Sequence, residues 1–450
     1  MAKARVTVGI LRKLLASGAT LRAERLLLRL HPADLAPLLS GLSPEEIRTV
    51  VELLFRNERA ASTLKELPPD VLQEVIEALS DERLAEALVR LQIDDLLELV
   101  NAIPDERREA VVAHFPSSKL AELRRAELYP PSSAGRVMTT QFIALDENMT
   151  AQQAIDRIRT LGDDTETIMY LYVIDGDAHL RGVVPIRRLV AAPPDRPCSE
   201  LMIGDPASVN VHADQEEAAQ LVARYNLLAI PVTDDLGRMI GVITVDDVID
   251  VITEEATEDM YHMAGLTEAD RILSPAMYSV QKRLPWMLIN LATAFLAAWV
   301  VGLFERSIAQ VVALATFMPV VAGMGGNAGT QALTVITRGI ALGEIEFSSG
   351  VRAVGKQLLV GVAIGATTGL VGGLVAYLLR GNPFLGVVLF LAMVINMGVA
   401  GLVGAAVPLL LRAMHQDPAL GSGVIVTTFT DVCGFFSFLG IGTLLIDRLA

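Results

Sequence analysis

The stretch GSGVIVTTFTDVCGFFSFLGIGTLL, residues 421–445, decides the reading of this chain. Nearly every residue in it is apolar or small, and one carboxylate, Asp431, stands near its middle. A carboxylate turned toward lipid costs on the order of a few kcal/mol. An acid at membrane depth therefore faces a protein interior or a water-filled path, which makes Asp431 a functional candidate. The plainer alternative is a protonated Asp packed inside a helix bundle.

Working outward, five spans are expected, at 284–304, 311–336, 357–379, 385–411 and 421–446. Each is long enough to cross a hydrocarbon core of about 30 Å. Lys282, Arg283, Arg338, Arg352, Lys356 and Arg412 fall on one side, and Arg306, Arg380 and Arg448 on the other. The richer side is cytoplasmic by the positive-inside rule, with the N-terminus in and the C-terminus out. The second span carries PVVAGMGGNAGTQ, residues 319–331, with Gly325, Gly326, Asn327, Gly329 and Gln331 at membrane depth. For the glycines, a tight packing face and a pore lining stand as equal readings. Asn327 and Gln331 need polar partners in such a setting.

The totals fit a membrane half joined to an acidic soluble half. The chain has 450 residues and a net charge of −15, and most charged side chains lie before residue 284. The hydrophobic fraction of 52% averages over the two halves, as does the mean hydropathy of +0.46. The acidity argues against a nucleic-acid partner, which needs clustered Lys and Arg, and suits divalent cations. Cys198 and Cys433 sit too far apart in kind, one soluble and one in a span, for a structural disulfide, so a reducing cytoplasm is expected for the soluble half. No signal peptide is expected. No nucleophile–base pair or phosphate-cradling loop suggests an enzyme.

Residues 1–131 repeat short helical phrases, each opened by a cap or a proline, as at Ser43-Pro44-Glu45-Glu46, Pro68-Pro69-Asp70 and Ser80-Asp81-Glu82. Ser43 with Glu46 predicts a capping box, and apolar residues at three- and four-residue spacing predict one buried stripe. The expectation is an all-α superhelical domain. Asp94 and Glu98 lie one helical turn apart. They read first as a solvated face and second as half of a cation site completed by another domain.

Residues 132–252 hold an internal repeat, 132–191 and 192–252. Tyr170 to Asp175 followed by Gly182 returns as Ala229 to Asp234 followed by Gly241, at one spacing. Each copy opens on a Met, Met138 or Met202, and contains a helix, 151–159 or 215–225. The repeat resembles a tandem pair of CBS domains, an α/β module. The resemblance implies ATP or another adenine nucleotide as a ligand, with Tyr170, Arg187, Thr244 and Asp247 as contacts. Copy one has Pro185 and Arg188 where copy two has Thr244 and Asp247, and an arginine cannot accept a ribose hydroxyl bond. A dimerising scaffold without ligand is the alternative.

Residues 246–259, DDVIDVITEEATED, run on without Pro or Gly into a connecting segment ending near 280. Helical spacing puts Asp247, Asp250, Glu254 and Glu258 on one face. Like charges one turn apart repel, and a divalent cation between this face and an acidic neighbour would relieve that.

The segment 319–331, the Asp417-Pro418-Ala419 turn and Thr427-Thr428-Phe429-Thr430-Asp431 together resemble the MgtE family of Mg2+ channels and transporters. So does the order of modules: helical domain, CBS pair, acidic connecting helix and five-helix transmembrane bundle. The resemblance implies a homodimer in the inner or plasma membrane with its pore at the dimer interface. There Asp431 binds hydrated Mg2+, beside Asn327, Gly325, Gly326, Gly329, Thr427 and Thr428. It further implies cytosolic Mg2+ ligands at Asp94, Glu98, Asp214, Glu216, Asp247, Asp250, Glu255, Glu258 and Asp259 that hold the gate shut. Asn226 stands where some relatives have an acid. The rival readings are a divalent-cation transporter coupled to H+ or Na+, and a membrane-anchored Mg2+ or nucleotide sensor.

Overall fold

The computed structural model describes residues 8–39, 41–57, 59–161, 168–266, 276–345, 350–414 and 416–449. It divides into two compact units, Met1–Val251 and Ile252–Ala450. The division falls inside a single acidic helix, Val245–Met263.

The front of the first unit is a run of short helices from Val8–Ala16 to Ser117–Ala126. The expected capping box is present. Ser43 accepts from the Glu46 N–H, and Glu46 accepts from the Ser43 N–H at 2.8 Å, with Pro44 opening helix Pro44–Arg56. One apolar cluster threads these helices from Leu11 to Ala126. Arginines bind the carbonyl ends of neighbouring helices. Arg59 donates to the Leu27 and Leu30 oxygens at 3.2 and 2.8 Å, and Arg107 to those of Ile76 and Leu79 at 2.8 and 2.9 Å. A cation there satisfies orphan carbonyls and the helix dipole together.

The repeat folds as two matching sheets. In the first, Ala144–Asp146 pairs parallel with Tyr170–Ile174, which pairs antiparallel with Leu180–Pro185. In the second, Val209–Asn210, Ala229–Thr233 and Met239–Thr244 do the same. Even the register irregularity recurs, at Val173/Ile174 and at Val232/Thr233. The segments that open each copy cross over. Ile203–Gly204 adds to the first sheet beside Gly182, and Thr139 bridges Val242 of the second. A Cβ on Gly182 would lie 2.6 Å from the Met202 sulfur, and one on Gly241 would lie 2.7 Å from the Met138 sulfur. The repeated Met and the repeated Gly are thus two halves of one contact, made each time between copies.

In the second unit, four helices among the described residues are long and apolar enough to cross a membrane: Ala276–Gly302, Gly350–Arg380, Pro383–Ala413 and Ser422–Leu444. The expected second span is corrected in two respects. A short helix, Glu305–Gln310, precedes it, and the long helix is Ala313–Ala341, of 29 residues. That helix spans about 40 Å at 1.5 Å per residue. Its apolar character is diluted by Gly325, Gly326, Asn327, Gly329 and Gln331, so it is absent from the four.

Gly350–Arg380 packs on Pro383–Ala413 through Gly361, Gly365, Gly369 and Gly373, spaced four apart. A Cβ at these positions would stand 2.2 Å from the Met397 oxygen, 2.9 Å from that of Met393, 3.0 Å from that of Phe390 and 2.6 Å from that of Gly386. Backbones this close gain dispersion and Cα–H···O contacts, which carry helix association in lipid. We expect Gly361→Ala to lower stability by about 1–3 kcal/mol through overpacking, seen as an earlier melt in detergent. Gly372→Ala, whose Cβ meets only Leu389 at 3.6 Å, should melt with the parent. Equal melting of the two variants would contradict this packing.

Candidate cation sites

The first site grows from the start of helix Ile93–Ala102. Gln92, ahead of it, accepts from the Thr139 hydroxyl at 2.5 Å, which ties the helical domain to the CBS pair. Both carboxylate oxygens of Asp94 are buried without a hydrogen-bond partner. Burial, then Asp95, then Asp247 push its pKa from 3.8 up to about 7. Burial also raises Asp95, against the pull of Lys65, whose ammonium lies 3.0 Å away. Burial raises Asp247 as well, although the Thr244 hydroxyl donates to it at 2.5 Å. Several carboxylates therefore share one poorly solvated corner with Lys65 as counter-ion. Such a corner holds protons or takes a cation. Its all-oxygen donor set is of the kind a hard divalent ion takes.

The other expected ligands scatter. Glu98 is exposed. Asp214 spends one oxygen on capping helix Gln215–Tyr225, accepting from the Glu216 N–H at 2.9 Å, and Glu216 accepts from Gln220 at 3.3 Å. Asn226 ends that helix with φ +52°, a left-handed position that Asn tolerates better than most residues. The expected acidic stripe also splits. Asp250 and Glu254 are exposed, whereas Asp247 and Glu258 are half-buried.

A second cluster forms at the far end of the acidic helix. Glu258, His262 and Asp417 bring one ligand atom each within 4.8 Å of one another, and among the described residues this is the group of three that does so. Asp417 accepts from the Ala419 N–H at 2.8 Å with one oxygen and meets His262 Nδ1 with the other. Glu258 lies 3.6 Å from the same nitrogen. The turn is held close: a Cβ on Gly423 would sit 2.5 Å from the Met263 oxygen. Asp259 beside it is pushed up to about 6 by burial, Asp417 and Glu255. No histidine was singled out from the sequence, although Glu258 and His262 stand one helical turn apart. Asp417, 155 residues on, lies too far along the chain for spacing to join it to them.

In the membrane unit Asp431 is half-buried on Ser422–Leu444. The glycines of the second span divide by role. Cβ atoms on Gly325 and Gly329 would meet Asn396 Nδ2 at 2.2 Å and Val426 at 2.5 Å, while Gly326 opens onto free space. Gly325 and Gly329 are thus packing positions. Asn396, which sequence reasoning missed, donates to the Val321 oxygen at 2.9 Å and lies against Gly434 of the Asp431 helix too. Asn327, Thr330, Gln331 and Thr334 are exposed along one edge of Ala313–Ala341. Thr427 and Thr428 donate to the Gly423 and Val424 oxygens at 2.8 and 2.7 Å, one turn back. Of the expected nucleotide contacts, Tyr170 is half-buried, Arg187 exposed and Thr244 buried against Asp247. Arg188 donates to the Leu201 oxygen at 3.3 Å.

Asp94 yields a prediction. Its folded pKa lies above its unfolded value, so its favourable contribution is complete below about pH 4 and is lost as pH rises to about 7. Above that, ionisation costs on the order of a few kcal/mol. With chelator at about pH 8, Asp94→Asn should melt later than the parent, and added Mg2+ should raise the parent more than the variant. A variant that melts earlier under chelator would contradict the buried charge.

The model of the family described as a divalent cation transporter, MgtE, matches residues 318–441. The MgtE intracellular N domain matches residues 30–132, and the CBS domain matches 134–195 and 198–254. The chain is 34% identical over 449 residues to the magnesium transporter MgtE of Thermus thermophilus, covering 98% of each. It is 34% identical over 321 residues to that of Bacillus subtilis, covering 71% of each. Its structure is similar to the crystal structure of the cytosolic domain of the Mg2+ channel MgtE in complex with ATP, with a TM-score of 0.52, 34% identity, and coverage of 54% of this chain and 99% of that one. The soluble part of a magnesium transporter is similar at a TM-score of 0.52 and 27% identity, over 55% and 98% of the two chains. With every module matched in order and a relative aligned from end to end, the chain belongs to the MgtE family of divalent cation transporters.

Proposed function

We propose that this chain is the subunit of a homodimeric Mg2+ channel of the cytoplasmic membrane, with its N-terminal domains in the cytoplasm and its C-terminus outside. It takes Mg2+ up and closes when cytosolic Mg2+ occupies the acidic residues of the helical domain (1–131), the CBS pair (132–252) and the connecting segment (246–280). The relatives' names supply the ion. The observation that supports a path between two copies is the exposed polar edge of Ala313–Ala341, namely Asn327, Thr330, Gln331 and Thr334. Such an edge is costly against lipid and affordable against water or a second subunit.

In this reading Ala313–Ala341 also crosses the membrane, as the second of five spans, and two copies of Asp431 face one another across the path. Mg2+ sheds water reluctantly, so the carboxylates hold it through its hydration shell, and the ring's charge and width select it. An inside-negative potential drives entry with about 2.3 kcal/mol per charge per 100 mV. Closure follows because cations must bind the shut state more tightly than the open one to shift the equilibrium. The unpartnered oxygens of Asp94 near Asp247 support a cation at that corner. A relative crystallised with ATP supports an adenine nucleotide at Tyr170, Arg187, Thr244 and Asp247. Its ribose hydroxyls would have to break the Thr244–Asp247 bond or donate to the Asp247 carboxylate beside it.

Two outcomes test this. Asp431→Ala should lower Mg2+ flux into liposomes at least ten-fold, with little change in melting. Flux equal to the parent's would remove Asp431 from the path. In patch recordings, the combined Asp250→Asn, Glu254→Gln and Glu258→Gln change should need several-fold more Mg2+ to close. An unaltered closing curve would detach the acidic helix from gating.

A further inference from the structure

We infer that the outer face of the two leading helices, Val8–Ala16 and Thr20–Leu27, is a docking surface for anionic lipid. Lys13, Arg22, Arg25 and Arg29 meet the headgroups, and Ile10, Leu21 and Leu28 enter between them. Which leaflet it meets follows from the orientation proposed above, whereas the contact itself does not rest on it.

Charge points there first. Residues 1–32 contain seven Lys and Arg and one acid, Glu24, whereas residues 33–100 contain six Lys and Arg and fifteen acids. A chain of net charge −15 thus carries one concentrated positive segment. Arg12 is already committed, donating to the Gly41 oxygen at 2.6 Å and pairing with Glu46 at 3.2 Å. Lys13, Arg22, Arg25 and Arg29 are exposed and make no side-chain hydrogen bond or ion pair among the described residues. Glu24 does not neutralise them, because it accepts from the Asn57 amide at 2.7 Å.

The apolar pattern agrees. Leu28 continues the second helix with αR backbone. At about 100° per residue, Leu21, Arg22, Arg25, Leu28 and Arg29 project to one side. Ala23 and Leu27 project to the other, where they are buried in the same core as Leu11. On the outer side Leu21 is 70% exposed and Leu28 41%, and Ile10 on the first helix is 48% exposed. A leucine exposed alone is ordinary. Two set among three free arginines form the face of a helix that lies in a headgroup layer, apolar residues down and guanidinium groups on phosphate.

The same face suits other polyanions less well. No aromatic residue between positions 8 and 30 offers a base a stacking platform, and the net charge repels nucleic acid. An acidic protein surface would satisfy the arginines without seating the leucines, whereas a bilayer supplies phosphate and acyl chain together. The bilayer is also held close by the long apolar helices of the same chain, so a weak contact suffices. Each Lys or Arg near an anionic leaflet strengthens attachment by roughly five-fold.

The test uses the full-length protein in nanodiscs of phosphatidylcholine alone or with about one-third phosphatidylglycerol, read by amide hydrogen exchange. Exchange over residues 8–30 should slow roughly three-fold or more in the anionic discs. It should recover in about 1 M salt, where the screening length is about 3 Å. Helix Asp105–Val112 should exchange alike in both discs. Lys13→Glu, Arg22→Glu and Arg25→Glu together should abolish the difference, Leu21→Ser with Leu28→Ser should reduce it, and Arg22→Lys with Arg25→Lys should keep it. Equal exchange in the two discs would overturn the proposal, and if salt speeds it equally in both, the face belongs to acidic side chains of protein instead. Slowing that survives the triple charge reversal would also overturn it, by placing the lipid contact elsewhere. Both faces of a disc present the same lipid, so a reversed orientation of the chain would leave these outcomes unchanged.

Discussion

A carboxylate taken out of water must be met by a proton or a cation, and the chain is arranged around places where this demand is left open. Asp94 is enclosed with neither oxygen bonded. Asp247, half-buried, leans on the hydroxyl and the N–H of Thr244. Asp259 is crowded by Asp417 and Glu255. Burial makes the ionised form of each costly, so each favours its protonated form more than a free carboxylate does. Asp431 puts the same demand on a helix long and apolar enough to cross a membrane.

The membrane unit answers a different constraint. In lipid, helices gain little from apolar burial, so close backbone approach must do the joining. The glycines at 361, 365, 369 and 373 let two helices meet at carbonyl distance. That leaves polar side chains free for other duties. Asn396 occupies the gap left by Gly325 and Gly434 and donates to the Val321 oxygen, in the helix that holds Pro319. The outward edge with Asn327 and Gln331 stays exposed because the inward face is already filled.

Much of this was legible in the sequence. Ser43 and Glu46 announced their cap, the spacing of Asp175 with Asp234 and Gly182 with Gly241 announced the repeat, and the apolar runs announced long helices. These signals are local, so they survive folding intact. The helix Ala313–Ala341 was harder to place by hydropathy, because the residues that give it character also lower its apolar score. Periodicity set Asp247, Asp250, Glu254 and Glu258 on one stripe, but it could not tell which of them the fold would cover. Asp95, Lys65, Asn396 and Asp417 became relevant only through contacts between distant segments, for which a single sequence carries no local mark. Reading Gly325 and Gly329 as pore or packing needed the neighbour that fills each gap.

The crossed Met–Gly contacts of the repeat carry a consequence for how the module came to be and how it assembles. Met138 leads the first copy yet seals Gly241 of the second, and Met202 leads the second yet seals Gly182 of the first. Severing the chain between the copies would strip a sheet edge and a sulfur plug from both at once. Each half completes the other's sheet, so a lone half would expose a strand edge open to pairing with another chain.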